Sequence, residues 1–67
     1  MMKEKDPFIL KLIGKKLRDV IQILFENGFV YRIVKRDGIS YIVTMDYNSN
    51  RYNLTVEKDI VTDIEIN

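Results

Sequence analysis

The sequence predicts a small α+β domain, one amphipathic helix packed on a small β-sheet, and three observations lead there. Leu17, Val20, Ile21, Leu24 and Phe25 recur at i, i+3, i+4, i+7 and i+8, the spacing of one helix face. After Gly28 the composition turns β-branched and aromatic, and from Tyr52 onward apolar and polar residues alternate with the period of a half-buried strand. With 67 residues there is room for one domain, 1–67, and one modest core.

The elements follow in order. Asp6-Pro7 is a helix start, with Asp as the cap and Pro in the first turn, where its missing N–H costs nothing. Phe8 to Ile13 supplies an apolar helical turn or two. Gly14 then allows two arrangements. Ile9, Leu12, Ile13 and the stripe beginning at Leu17 nearly fit one continuous helix, with Gly14 inside it at a cost of about 1 kcal/mol relative to Ala. The other arrangement is a short helical turn, a bend at Gly14 and a second helix. On that second segment Leu17, Val20, Ile21, Leu24 and Phe25 are expected in the core, against Ile33, Leu54, Val56 and Ile64. Lys15, Arg18, Asp19, Gln22 and Glu26 are expected to face water, and Asn27-Gly28 is a natural stop.

Phe29 to Val34 has strand composition, Arg36-Asp37-Gly38 is a turn, and Ile39 to Val43 is extended. Tyr52, Leu54 and Val56 are expected to be buried, with Asn53, Thr55 and Glu57 in solvent. Lys58-Asp59 is a short turn. Beyond it Ile60, Thr62, Ile64 and Ile66 alternate with Val61, Asp63 and Glu65.

Composition narrows function by exclusion. A 46% hydrophobic and 31% charged chain is that of a folded soluble domain, and its apolar runs are too short and too interrupted for a transmembrane helix. No membrane partner is therefore expected. Met1 to Pro7 is charged and lacks the apolar stretch of a secretory signal, so the chain as written is expected in the cytoplasm; removal of a signal would make it secreted or periplasmic. Cysteine and histidine are both absent, which excludes disulfides and thiolate metal sites and removes the commonest general base and zinc ligand. The carboxylates do not cluster, and Asp59, Asp63 and Glu65 lack calcium-loop spacing. No catalytic residue, metal or cofactor is expected, and the chain is not expected to be an enzyme. A net charge of +1 with interspersed signs offers no basic stripe for nucleic acid. Lys15, Lys16 and Arg18 do cluster at the helix start; they could attract an anion, although a solvated helix face is the simpler interpretation.

The most informative stretch runs from Ile42 to Leu54: Ile42-Val43-Thr44-Met45-Asp46-Tyr47-Asn48-Ser49-Asn50-Arg51-Tyr52-Asn53-Leu54. From periodicity alone it is a plain β-hairpin, with Ile39 to Tyr47 as one strand, Asn48-Ser49-Asn50 as the turn and Arg51 to Glu57 as the other strand. The order Val-Thr-Met-Asp-Tyr, a short polar run and then Arg also resembles the binding loop of the potato inhibitor I family of serine-protease inhibitors, especially its bacterial relatives. The resemblance extends to Leu12-Ile13-Gly14-Lys15 followed by an amphipathic helix, to the strand Tyr31 to Val34, and to Leu54 and Val56, covering most of residues 12–64. Plant and leech members carry a second arginine where this chain has Asn53, and bacterial relatives tend to have Asn there. The spacing from Gly38 to Thr44 is longer than in the plant pattern.

The resemblance implies a mixed sheet with an extended, exposed binding loop at 43–51 between strands that run parallel. It implies that Val43, Thr44, Met45, Asp46, Tyr47 and Asn48 contact a serine protease of subtilisin-like or chymotrypsin-like, apolar-pocket specificity. Met45 would enter the pocket, and the scissile bond would lie between Met45 and Asp46. Proteases bind substrate as an extended strand, and a long unbranched Met suits an apolar pocket. Burying it is worth about 1.5–3 kcal/mol. Inhibition also requires rigidity, so that the chain loses little entropy on binding and the leaving amine stays poised to re-form the bond. Without disulfides, that bracing falls to Arg51, toward Asp46 and the backbone near Thr44, and to Asn53. The implied state is a reversible inhibitor acting as a monomer; bacterial relatives tend to be exported, unlike the cytoplasmic location expected of the chain as written. The alternative is a non-inhibitory interaction module that docks through its sheet edge or helix, as a small cytoplasmic or viral regulator.

Overall fold

The structure is a computed structural model that describes residues 6–41 and 50–66. Its elements are α1 (Pro7–Leu12), α2 (Leu17–Glu26), β1 (Val30–Arg36), β2 (Ile39–Ser40), β3 (Arg51–Glu57) and β4 (Ile60–Ile66). The strands form one mixed sheet in the order β2-β1-β3-β4, with β1 and β3 parallel and the other two pairs antiparallel. The fold is α+β. Ile9 and Leu12 of α1 and Val20 and Leu24 of α2 join Tyr52, Leu54, Val56, Val61 and Ile64 of β3 and β4 in a single core.

Of the two arrangements open at Gly14, the chain adopts the broken one. Asp6 caps α1 by accepting the Phe8 N–H at 2.7 Å, and the helix ends at Ile13, whose backbone is extended. Gly14 follows at φ +96°, a conformation that suits glycine and strains any side-chain-bearing residue. What holds the break open is the sheet. The Gly14 N–H donates to the Val61 carbonyl at 2.7 Å, the Val61 N–H to Lys15 at 2.9 Å, and the Leu17 N–H to Asp59 at 2.7 Å. Lys16 and Ile60 thereby form a short antiparallel bridge. A continuous helix would satisfy those backbone groups internally and forfeit the stitching to β4.

At its other end α2 closes as a Schellman motif. The Gly28 N–H donates to Phe25 and the Phe29 N–H to Leu24, with Gly28 at φ +75°. The Asn27 side chain adds a bond to the Ile23 carbonyl at 2.8 Å. Phe29 is then placed against Phe8 and Tyr52, with ring centroids 5.0–6.2 Å apart, and this aromatic trio closes one end of the core.

The helix face differs from the expected one. Val20 and Leu24 are fully buried, and Leu17 and Ile23 are half-buried against the core, but Ile21 is only half-buried and Phe25 is 78% exposed. Ile21 and Phe25 each lie about 100° around the helix from the neighbour that is buried. Five apolar positions make a stripe wider than this small sheet covers. The bond from Leu17 to Asp59 anchors the start of α2 in the orientation that turns Val20 and Leu24 inward.

In β4 the regular alternation expected from the sequence is broken. Val61 and Ile64 are buried, whereas Thr62 and Ile66 are exposed and Ile60 is half-buried. Thr55 pairs with Asp63 and Val56 with Val61, so Thr62 is an extra residue that reverses the alternation. Its hydroxyl donates back to the Thr55 carbonyl at 3.3 Å. In β3 the expected face holds at Tyr52, Leu54 and Val56, but Asn53, expected in solvent, is 6% exposed.

Two tight turns meet at one end of the sheet. Asp37-Gly38 and Lys58-Asp59 both have positive φ at both residues, the pattern of two-residue hairpin turns. Asp37 receives the Lys58 N–H on its carboxylate at 2.8 Å and donates its own N–H to Val56 at 2.9 Å. The Arg36 guanidinium meets Asp59 at 2.8 Å, an exposed pair worth about 0.2–1 kcal/mol.

Candidate functional site

The plain hairpin expected from periodicity would place Ile39 beside β3. Instead β1 stands between β2 and β3. Ser40 and Ile39 pair with Lys35 and Arg36, while Arg51 to Val56 pair in parallel with the other edge of β1. A parallel pair cannot be joined by a tight turn and needs a longer crossover. Residues 37–50 make it, with β2 as its first leg.

The two described ends of that crossover both rest on β1. The Tyr41 N–H donates to Val34 at 2.9 Å, and the Val30 N–H donates to the Asn50 carbonyl at 3.3 Å. Residues 42–49 join these two points. The expected contact residues Val43, Thr44, Met45, Asp46, Tyr47 and Asn48 lie outside the described residues.

The two expected bracing residues are described. Arg51 opens β3, half-buried and in register with Val30. Asn53 lies two residues further along the same strand, in register with Arg32. Its side-chain oxygen accepts a hydrogen bond from Arg32 Nε at 2.5 Å. A charge-assisted bond of this kind is among the stronger ones, and it ties β1 to β3 close to the end of the crossover.

Arg32 was not singled out by the sequence. Its only signal is a charged residue among apolar ones in Val30-Tyr31-Arg32-Ile33-Val34, and nothing local shows that its partner lies on another strand. At the position of Asn53 the chain holds a neutral side chain that takes a guanidinium from the neighbouring strand.

Near this end of the sheet, burial raises the Tyr52 phenol above its usual pKa of 10, and the negative charge of Asp6 adds to the effect. The shift belongs to core packing and to the cap of α1 and has no visible link to proton transfer. Among the described residues no group of His, Cys, Asp or Glu is arranged to hold a metal ion, and no helix is long and apolar enough to cross a membrane. No protein-family model matches the chain, and no curated protein matches it.

Proposed function

We propose that this chain is a reversible, substrate-like inhibitor of a serine protease with an apolar primary pocket, acting through residues 43–51 as a monomer and not as an enzyme. The observation that carries the proposal is the parallel pairing of β1 with β3, which removes the simple hairpin and makes residues 42–49 part of a crossover that ends against β1. A crossover of that kind can hold an extended peptide between two fixed points, as a protease cleft requires. Met45 supplies the apolar side chain, and Asp46 follows the bond to be attacked. Support comes from Arg51 at the start of β3 and from Asn53, itself held by Arg32.

The test is a titration of subtilisin and chymotrypsin with the full chain, followed by intact-mass analysis. Stoichiometric loss of protease activity with at most one slow cut, between Met45 and Asp46, is expected. Rapid cutting at several bonds, or neither inhibition nor cutting, rules the proposal out.

A further inference from the structure

The apolar residues that α2 does not bury are not scattered. Arg18, Ile21 and Phe25 stand at i, i+3 and i+7, one line along the helix about 10 Å long. Two clefts meet along it. The first, about 570 Å³, is lined by Lys16, Arg18 and Lys58 together with Leu17, Ile21 and Ile60. The second, about 370 Å³, is lined by Ile21, Phe25, Phe29, Val30 and Tyr31, with Gln22 as its polar member. Ile21 lines both, so the two clefts adjoin at that side chain, the one toward the start of α2 basic and the one toward its end largely apolar.

The charge of the basic half is uncompensated from within. Lys16, Arg18 and Lys58 come from the helix start and from the β3–β4 turn. Among the described residues, none of their side chains makes a hydrogen bond or ion pair. Asp59 is the one carboxylate among the residues lining that cleft, and the Arg36 guanidinium engages it at 2.8 Å. The apolar half is open to match: Phe25 is 78% exposed and Val30 51%. An exposed aromatic beside aliphatic residues and unpaired cations is the composition of a docking surface.

We propose that the outer flank of α2, with the β3–β4 turn, is a docking groove for a partner-protein segment carrying acidic residues beside apolar ones. The carboxylates would face Lys16, Arg18 and Lys58, and the apolar side chains would pack on Ile21 and Phe25. Charge complementarity selects the partner and speeds encounter, while burial on Phe25 supplies affinity. None of the residues that line this groove belongs to 43–51, although Val30 neighbours Asn50 and Arg51 in the sheet, and the proposal stands whether or not the chain inhibits a protease.

The experiment is selection of a random peptide library displayed on phage against the immobilised full chain. Selected peptides are then titrated into isotopically labelled protein, with amide shifts followed by NMR. Enriched peptides are expected to combine Asp or Glu with Leu, Ile or Phe, and to shift amides in residues 16–31 and 58–60. Binding should weaken about tenfold in Arg18→Glu/Lys58→Glu and in Phe25→Ser, each checked for native fold by circular dichroism, and should weaken as salt is raised. No enrichment, enrichment of basic or neutral peptides, or undiminished binding to either variant overturns the proposal. So does self-association of the chain through Phe25, which would make a second copy the occupant. Displacement of selected peptides by a mixed-sequence single-stranded DNA would also overturn it, marking a general anion surface.

Discussion

Val20 and Leu24 on one flank of α2, and Ile21 and Phe25 on the other, are equally apolar and one residue apart, yet their fates differ. The first pair is wholly buried against β3 and β4, whereas Phe25 is left 78% exposed. Hydrophobicity alone cannot make that choice. It is made by backbone bonds outside the helix, from Gly14 to Val61, Val61 to Lys15 and Leu17 to Asp59, which fasten the start of α2 to the β4 end of the sheet. A helix can thus have its rotation set by the three residues before it.

The largest expected effect lies on the inner flank. Leu24→Ala should cost about 2–5 kcal/mol in urea unfolding, a large share of what a domain this small has. A loss under about 1 kcal/mol would mean that Leu24 is not where the core packs. Gly14→Ala comes next. It forces a side-chain-bearing residue to φ +96° and should cost about 1–2 kcal/mol, although nothing within 4 Å of the added methyl obstructs it. A gain in stability instead would indicate that α1 and α2 fuse and that the stitching to β4 is dispensable.

The aromatic trio at the far end of the core gives a pH signature. Tyr52 is favoured in its neutral form by the fold, so its contribution is fully present below its unfolded pKa of about 10 and is lost as pH rises through the higher folded value. Unfolding midpoints should fall on the alkaline side, and Tyr52→Phe should flatten that fall; an unchanged profile would assign it elsewhere. The smallest effect is on the outer flank. Phe25→Ala should change stability by no more than about 0.5 kcal/mol. A core-sized loss there would erase the distinction between the two flanks.

Much of the fold could be read from local chemistry, and the departures share a cause. Asp6-Pro7, Asn27-Gly28, Asp37-Gly38 and Lys58-Asp59 each mark an end or a turn through their own backbone preferences, and each stands where expected. The break at Gly14, the rotation of α2, the extra residue at Thr62 and the burial of Asn53 depend on partners distant in sequence. Ile9 to Phe25 carries an apolar pattern that fits one helix as well as two. The phase of β4 follows from a bulge that no composition marks, and Asn53 is paired by an arginine on another strand. For the candidate site, parallel pairing came into view only through the family resemblance, because alternation alone cannot distinguish a hairpin from a crossover. Arg51 and Asn53 were legible as sheet residues beside the loop; Arg32 was not.

The proposed inhibition rests on bracing from the sheet, and Arg51→Ala tests it most directly when stability and cleavage are measured on the same sample. Subtilisin is incubated with wild type and variant, and the rate of the cut after Met45 is followed by mass spectrometry beside a urea unfolding curve. The expected result is a nearly unchanged unfolding midpoint with cleavage after Met45 many times faster than in wild type. Cleavage of the variant at the wild-type rate, with its fold intact, would contradict the account.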